Sequence, residues 1–381
     1  MINRLLFLAT CLIGLVVLEG GLRTFGPVDY RVAGLTTIGG GKVPWRQAGT
    51  FVPRPSYSHH RHAGYVANAR GMLDAEVGLT PPEGTTRVAF LGDSYLEGTG
   101  VPPGSRLTEL LETPIRPAED LVGRIEALNF GLSGTGTLDQ LALYQRLVRP
   151  LSPDVVILMV YPGNDVVDNS AALASSVGVR TPVVDDTSTF SRGDVQATGH
   201  PKRWIRSIAP SLYAHLYIAR KRLADGSHPA ASAAYSESVT SYLGVYRPPE
   251  LPADSLWRRA WALTEAAILT LDSDVTRDGA RLLVVVLPDP IQPYSADAAE
   301  LERLLGRPLP RGFDAYYPAA RLADFLAETG IASLNLADVF KDYAAANQLR
   351  PPYFGFARNG HWDTLGHRVA AESVLGIIDN R

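Results

Sequence analysis

One cysteine in 381 residues, Cys11, excludes an intramolecular disulfide and a cysteine-ligated zinc cluster. It is compatible with a reducing or an oxidising compartment. Neither sign of charge is in excess. Thirty-six Lys and Arg stand against 39 Asp and Glu, a formal net charge of −3, so there is no global electrostatic case for nucleic acid. There is no internal repeat and no long low-complexity tract. Long hydrophobic runs are scarce too, and the one that stands out is residues 5–18, bracketed by Arg4 and Arg23. Extended to residue 22 it holds about 18 residues, roughly 27 Å of helix, marginally enough for a bilayer core if the arginines snorkel. Glu19, its one charge, lies four residues before Arg23, the favourable order for a helical ion pair. The expectation is an uncleaved single-pass membrane anchor over residues 1–24. A cleaved signal peptide is the competing reading, but Leu18 and Glu19 stand where small residues are wanted. Arginines flank both sides, so charge bias does not fix the orientation.

The rest of the chain has ordinary globular composition, 46% hydrophobic and 20% charged. Residues 25–86 read as a linker and lead-in, rich in Gly and Pro, with Gly39-Gly40-Gly41 near its centre. His59, His60 and His62 follow and read as solvated loop residues rather than a metal site. From residue 87 the pattern alternates strand and helix. Strands are expected at 88–91, 125–130, 154–160, 281–287 and 332–336. Helices are expected near 107–112, 138–148, 257–277, 318–328, 337–347 and 365–378. Such alternation predicts an α/β fold, a parallel sheet covered on both faces. The run Val155-Val156-Ile157-Leu158-Met159-Val160 has no polar alternation, as a central strand buried on both sides requires. Residues 166–255 break the rhythm with polar loops and prolines, and read as an insertion in a domain spanning 87–381.

The most informative stretch is RVAFLGDSYLEG, from Arg87 to Gly98. Its apolar run reads as a buried strand that stops at Gly92, with Asp93 and Ser94 following at once. A serine there sits where open α/β sheets place their ligands. If a helix opens next, its hydroxyl also faces backbone N–H groups and the positive end of a helix dipole. That suits a nucleophile whose product is an oxyanion. The bland alternative is a serine that only caps the helix.

Gly92-Asp93-Ser94 resembles the first signature block of the SGNH (GDSL-type) hydrolases. Asn129-Phe130-Gly131-Leu132-Ser133-Gly134 resembles the second block, Gly163-Asn164-Asp165 the third, and Gly360-His361-Trp362, followed by Gly366-His367, the last. The order is the family's order. Residues 65–74 (YVANARGMLD) also resemble a lead-in found in membrane-anchored members. The resemblance implies a flavodoxin-like three-layer sandwich with a central parallel sheet, here following one N-terminal transmembrane helix. It also implies a catalytic domain outside the cytoplasm, periplasmic or otherwise extracytoplasmic.

By that resemblance Ser94 is the nucleophile and His361 the base. Ser94 and Gly134 give backbone N–H groups, and Asn164 a side-chain amide, to the oxyanion. Asp165 pins its loop, and His367 is structural. Where the family usually carries an aspartate, two or three residues before the histidine, this chain has Asn359 and Arg358. A neutral Asn359 can hold the ring but does not stabilise an imidazolium as a carboxylate does. Asp363 is the nearest carboxylate in sequence, with helix capping as its plainer role. The expectation is a serine esterase that needs no metal and no cofactor, acting on an acylated small molecule or polysaccharide. Three other readings stand beside it: an O-acyltransferase on an envelope polysaccharide, a non-catalytic glycan-binding protein, and a metal-dependent hydrolase using His361, Asp363 and His367.

Overall fold

The computed structural model describes residues 74–98, 101–102, 104–112, 124–176, 242–249, 255–351 and 360–379, together with isolated positions at 14, 16–18, 20–21, 42–44, 51–53, 68, 72 and 354. The chain divides into two compact units, residues 1–43 with 194–230 and residues 44–193 with 231–381. All that follows on the sheet and the site concerns the second unit.

Five parallel strands form the central sheet: β1 (Thr85–Gly92), β2 (Arg124–Gly131), β3 (Val155–Val160), β4 (Arg281–Val286) and β5 (Ser333–Asn335). Their spatial order is β2-β1-β3-β4-β5, the flavodoxin-like order, whose switch point lies between β1 and β3. The all-apolar β3 occupies the middle and is buried along its whole length. Register brings Gly92 opposite Gly131 and Leu91 opposite Leu158, so β1, β2 and β3 end together at one rim.

The main helices are α1 (Ser94–Glu97), α2 (Leu107–Glu112), α3 (Thr137–Leu143), α4 (Pro162–Asp168), α5 (Ala171–Ser176), α6 (Ser255–Arg277), α7 (Ala298–Leu305), α8 (Tyr317–Thr329), α9 (Leu336–Ala346) and α10 (Thr364–Asp379). Helix α6 packs against α3, α4 and β4, while α10 packs against α2 and α9. In α6 the buried positions Ala260, Trp261, Thr264, Ala267, Ile268 and Leu271 recur every three or four residues, the spacing of one helical face.

Two local features go beyond the sequence reading. Pro162-Gly163 forms the first turn of α4, because proline at N1 lacks only an N–H that a helix start leaves unpaired. Helix α7 was not expected. Asp297 starts it by accepting the Glu300 N–H at 3.0 Å, and of its residues only Leu301 and Leu305 are buried, too few for a periodic signal.

The edge strand β2 shows how side chains close a sheet. Its outward N–H groups at Ala127 and Asn129 donate to Glu112 Oε1 at 3.0 Å and Asp74 Oδ2 at 2.8 Å. An edge left bare would be a template for pairing with another chain. Asp74 belongs to the lead-in, whose Asn68 receives the Met72 N–H and donates to the Ala75 carbonyl.

Among the described residues no helix is long and apolar enough to cross a membrane. The expected anchor falls mostly outside them. Of its residues Gly14, Val16, Val17, Leu18, Gly20 and Gly21 are helical, and Val16 and Val17 are exposed. The expected linker contains two three-residue strands, Lys42–Pro44 and Phe51–Pro53. Gly39 to Gly41, the three histidines at 59, 60 and 62, and residues 177–241 of the expected insertion lie outside the described residues.

Candidate active site

Ser94 opens α1 directly after β1. Asp93 caps that helix by accepting the Tyr95 N–H at 2.9 Å, and Gly98 ends it with φ 80°. The helix is a single turn. Local N–H groups therefore do what a longer helix's dipole was expected to do, since a macrodipole needs many aligned peptides.

The decisive contact is between residues 267 positions apart in sequence. His361 Nε2 lies 2.7 Å from Ser94 Oγ. Both residues are half-buried. Gly360, just before the histidine, has φ 75°, a conformation glycine adopts without strain. Trp362, just after it, is buried against Phe340 and the His367 ring. His361 is thus carried on a turn whose far side is pinned into the core.

The second block is held to the first by several bonds. The Leu132 N–H donates to the Gly92 carbonyl at 3.0 Å. Asn129 Nδ2 donates to the Leu96 carbonyl at 3.0 Å. Glu97, buried on α1, accepts from the Ser133 N–H at 2.9 Å and from the Ser133 hydroxyl. A Cβ on Gly131 would overlap the Glu97 backbone nitrogen, so a glycine is required where β2 meets α1. These ties set the loop that ends at Gly134, which is exposed with φ 66°. Glu97 was missed in the sequence because one turn of helix carries no amphipathic pattern.

Asn164 lies in the first turn of α4, after the central strand. Its Nδ2 donates to Asp168 Oδ2 at 3.2 Å, and the same side chain lies close enough to the Asp93 carboxyl to hold its pKa down against burial. Asp165 pins this loop as expected: its Oδ2 accepts the Tyr161 N–H at 3.2 Å. Asp93 and Asp165 are buried, and each keeps an oxygen without a hydrogen-bond partner. Burial raises the Asp93 carboxyl to about 6, and the Glu97 charge adds to the shift. Burial also raises Asp165, and the charges of Asp93 and Asp168 push it further.

A carboxyl whose pKa is raised on folding contributes stability below its unfolded value, 3.8 for Asp93, and loses it as pH rises through about 6. The Asp93→Asn protein keeps a capping oxygen without the buried charge. It is expected to unfold about 1–3 kcal/mol later than wild type near pH 8, with the gain vanishing near pH 4. Denaturant unfolding at the two pH values measures this, and an equal difference at both would show that the charge is not the cause.

Asp363 takes the plainer of its two expected roles. Its Oδ1 accepts the Leu365 and Gly366 N–H groups at 3.0 and 3.1 Å, so it caps α10. Asn359 and Arg358 lie outside the described residues. His367 is buried in α10 and its Nδ1 accepts the Leu107 N–H at 3.2 Å. Burial, with the Arg106 and His361 charges, pushes its imidazole down to about 3. Among the described residues no group of three or more His, Cys, Asp or Glu is placed to hold a metal ion.

No family model matches the chain. No curated protein matches it. Solved structures that overlap it include an acetylxylan esterase from Geobacillus stearothermophilus, at 15% identity and TM-score 0.38, covering 78% of this chain and 95% of that one. Another acetyl xylan esterase overlaps at 13% identity and TM-score 0.39, covering 77% and 99%. An α/β hydrolase from the metagenome of Lake Arreo, Spain, overlaps at 16% identity and TM-score 0.36, covering 76% and 94%. Overlaps this loose add nothing to the geometry, and the geometry alone is the basis for a function.

Proposed function

We propose that this chain is a serine-type ester hydrolase, with Ser94 as nucleophile and His361 as general base. One observation carries the reading: a half-buried hydroxyl and an imidazole nitrogen at 2.7 Å, delivered from opposite ends of the domain to the carboxyl rim of the sheet. Nothing about packing requires two half-exposed polar groups to meet there, whereas nucleophilic catalysis does.

The chemistry follows from the roles. The neutral ring presents an unprotonated Nε2 to Ser94. As Oγ bonds to the ester carbonyl carbon, Nε2 takes the hydroxyl proton and the π pair moves to the carbonyl oxygen. The Ser94 and Gly134 N–H groups and the Asn164 side-chain amide are the donors for that oxyanion. When the intermediate collapses, the C–O bond to the alcohol breaks and the departing oxygen takes the proton from Nε2. An acyl group is left on Ser94. Water then repeats the sequence and releases the acid.

A fluorophosphonate probe tests the nucleophile on the full chain. The expected result is a single adduct on Ser94, found by mass spectrometry and lost in Ser94→Ala. Labelling that persists in Ser94→Ala defeats the proposal.

A further inference from the structure

We propose that Tyr95 is a positioning residue for the base: it locks the segment carrying His361 to the segment carrying Ser94. The inference rests on the reading of those two residues as nucleophile and base.

Tyr95 is the next residue after Ser94 and is buried. Its hydroxyl donates to the Gly360 carbonyl at 2.6 Å, across 265 positions of sequence. Gly360 is the residue before His361. Two neighbours on one segment are therefore bonded to two neighbours on the other, Ser94 to His361 and Tyr95 to Gly360. Any one hydrogen bond between two segments leaves them able to pivot about it. A second bond one residue away removes that freedom.

The ring adds to the lock. Its centroid lies 4.8 Å from the imidazole of His361 and 5.3 Å from Trp362, so it packs along the base itself. Tyr161, after β3, packs against the same ring at 4.7 Å. Tyr161 is fixed in turn by donating to Asp289 Oδ2 at 2.8 Å, an oxygen that also accepts from the Tyr246 hydroxyl. Asp289 Oδ1 receives the Ile291 N–H at 2.9 Å. The post behind Tyr95 is thus built from the ends of β3 and β4. This aromatic post holds the segment carrying the base beside the serine.

The test is Tyr95→Phe in the full chain, which keeps the ring and deletes the hydroxyl. With p-nitrophenyl acetate, kcat per fluorophosphonate-titratable site is expected to fall by about 10-fold to 10²-fold, the scale of a small misplacement of a catalytic group. KM is expected to stay within about twofold, because ground-state binding is untouched. Tyr95→Leu, which loses ring and hydroxyl, is expected to lose more. Counting titratable sites separates this from poor folding, which lowers the number of sites and not the turnover of each. An unchanged kcat per site in Tyr95→Phe, with an active wild type, overturns this inference alone. A wild type that neither reacts with the probe nor turns over overturns the catalytic reading beneath it.

Discussion

Ser94→Ala is expected to lower kcat for ester cleavage by about 10⁴-fold to 10⁶-fold, and His361→Ala to cost nearly as much. The two groups act as one unit. Without the imidazole at 2.7 Å, the hydroxyl keeps its proton at neutral pH and is a poor nucleophile. Without the hydroxyl, the imidazole has nothing to activate but water. The double variant should therefore be little worse than either single one. A residual acceleration of about 10³-fold over water is expected to survive in all three, supplied by binding and the oxyanion donors. Neither residue is deeply buried, so each variant should unfold close to the wild-type midpoint. Steady-state kcat on one ester for the three variants checks the claim. Losses that multiply in the double variant would mean that the two side chains act independently, and the unit proposed here would not exist.

Arg87→Met is expected to remove about 3–5 kcal/mol of stability, the usual cost of breaking a buried ion pair from one side. That is a large part of the roughly 5–15 kcal/mol that a domain commonly has. Arg87 lies in β1, its side chain fully buried. Its Nε meets Glu126 Oε2 at 2.7 Å, and its Nη1 donates to the Leu79 and Leu151 carbonyls at 2.8 and 2.6 Å. Its Nη2 donates to the Gly78 carbonyl at 3.1 Å and to Glu126 Oε1 at 3.3 Å. One guanidinium thereby ties the chain before β1, the neighbouring strand β2 and the turn before β3. Methionine fills the space and donates nothing, so three carbonyls and a carboxylate lose their partner. Glu126→Gln should cost less, because the amide oxygen still accepts one N–H and the three carbonyls stay paired. Urea unfolding of both variants decides the matter. Equal losses would mean that the ion pair, and not the carbonyl cradle, carries the energy.

Asp289 illustrates why part of the site was hidden in the sequence. It follows a strand and a proline and reads as a loop carboxylate. Its partners, Tyr161 and Tyr246, lie 128 and 43 residues away, and no local pattern links them. Its place after β4, at the sheet end where α/β folds gather their ligands, is the one signal that marks it. Arg87 was hidden for a related reason. A charged residue beside an apolar run reads as a strand end facing water, and only the approach of the 78–79 and 151 carbonyls makes it a core residue.

The strands and most helices were legible because their cause is local. A run such as residues 155–160, with no polar side chain, cannot be exposed on either face. The glycines at 92 and 131 and the serine at 94 were legible as strand ends for the same reason. What joins them is not local. The register of β1 against β2 and β3, the turn that returns the last block to the first, and the tyrosine–aspartate post behind the base each depend on pairs far apart along the chain. The amino-acid sequence by itself determined the elements and the residues able to do the chemistry. Only tertiary structure decided that Ser94 and His361 touch, and that the Asp93 charge acts on the buried Asp165 carboxyl, because distances between remote residues arise only when the sheet has closed.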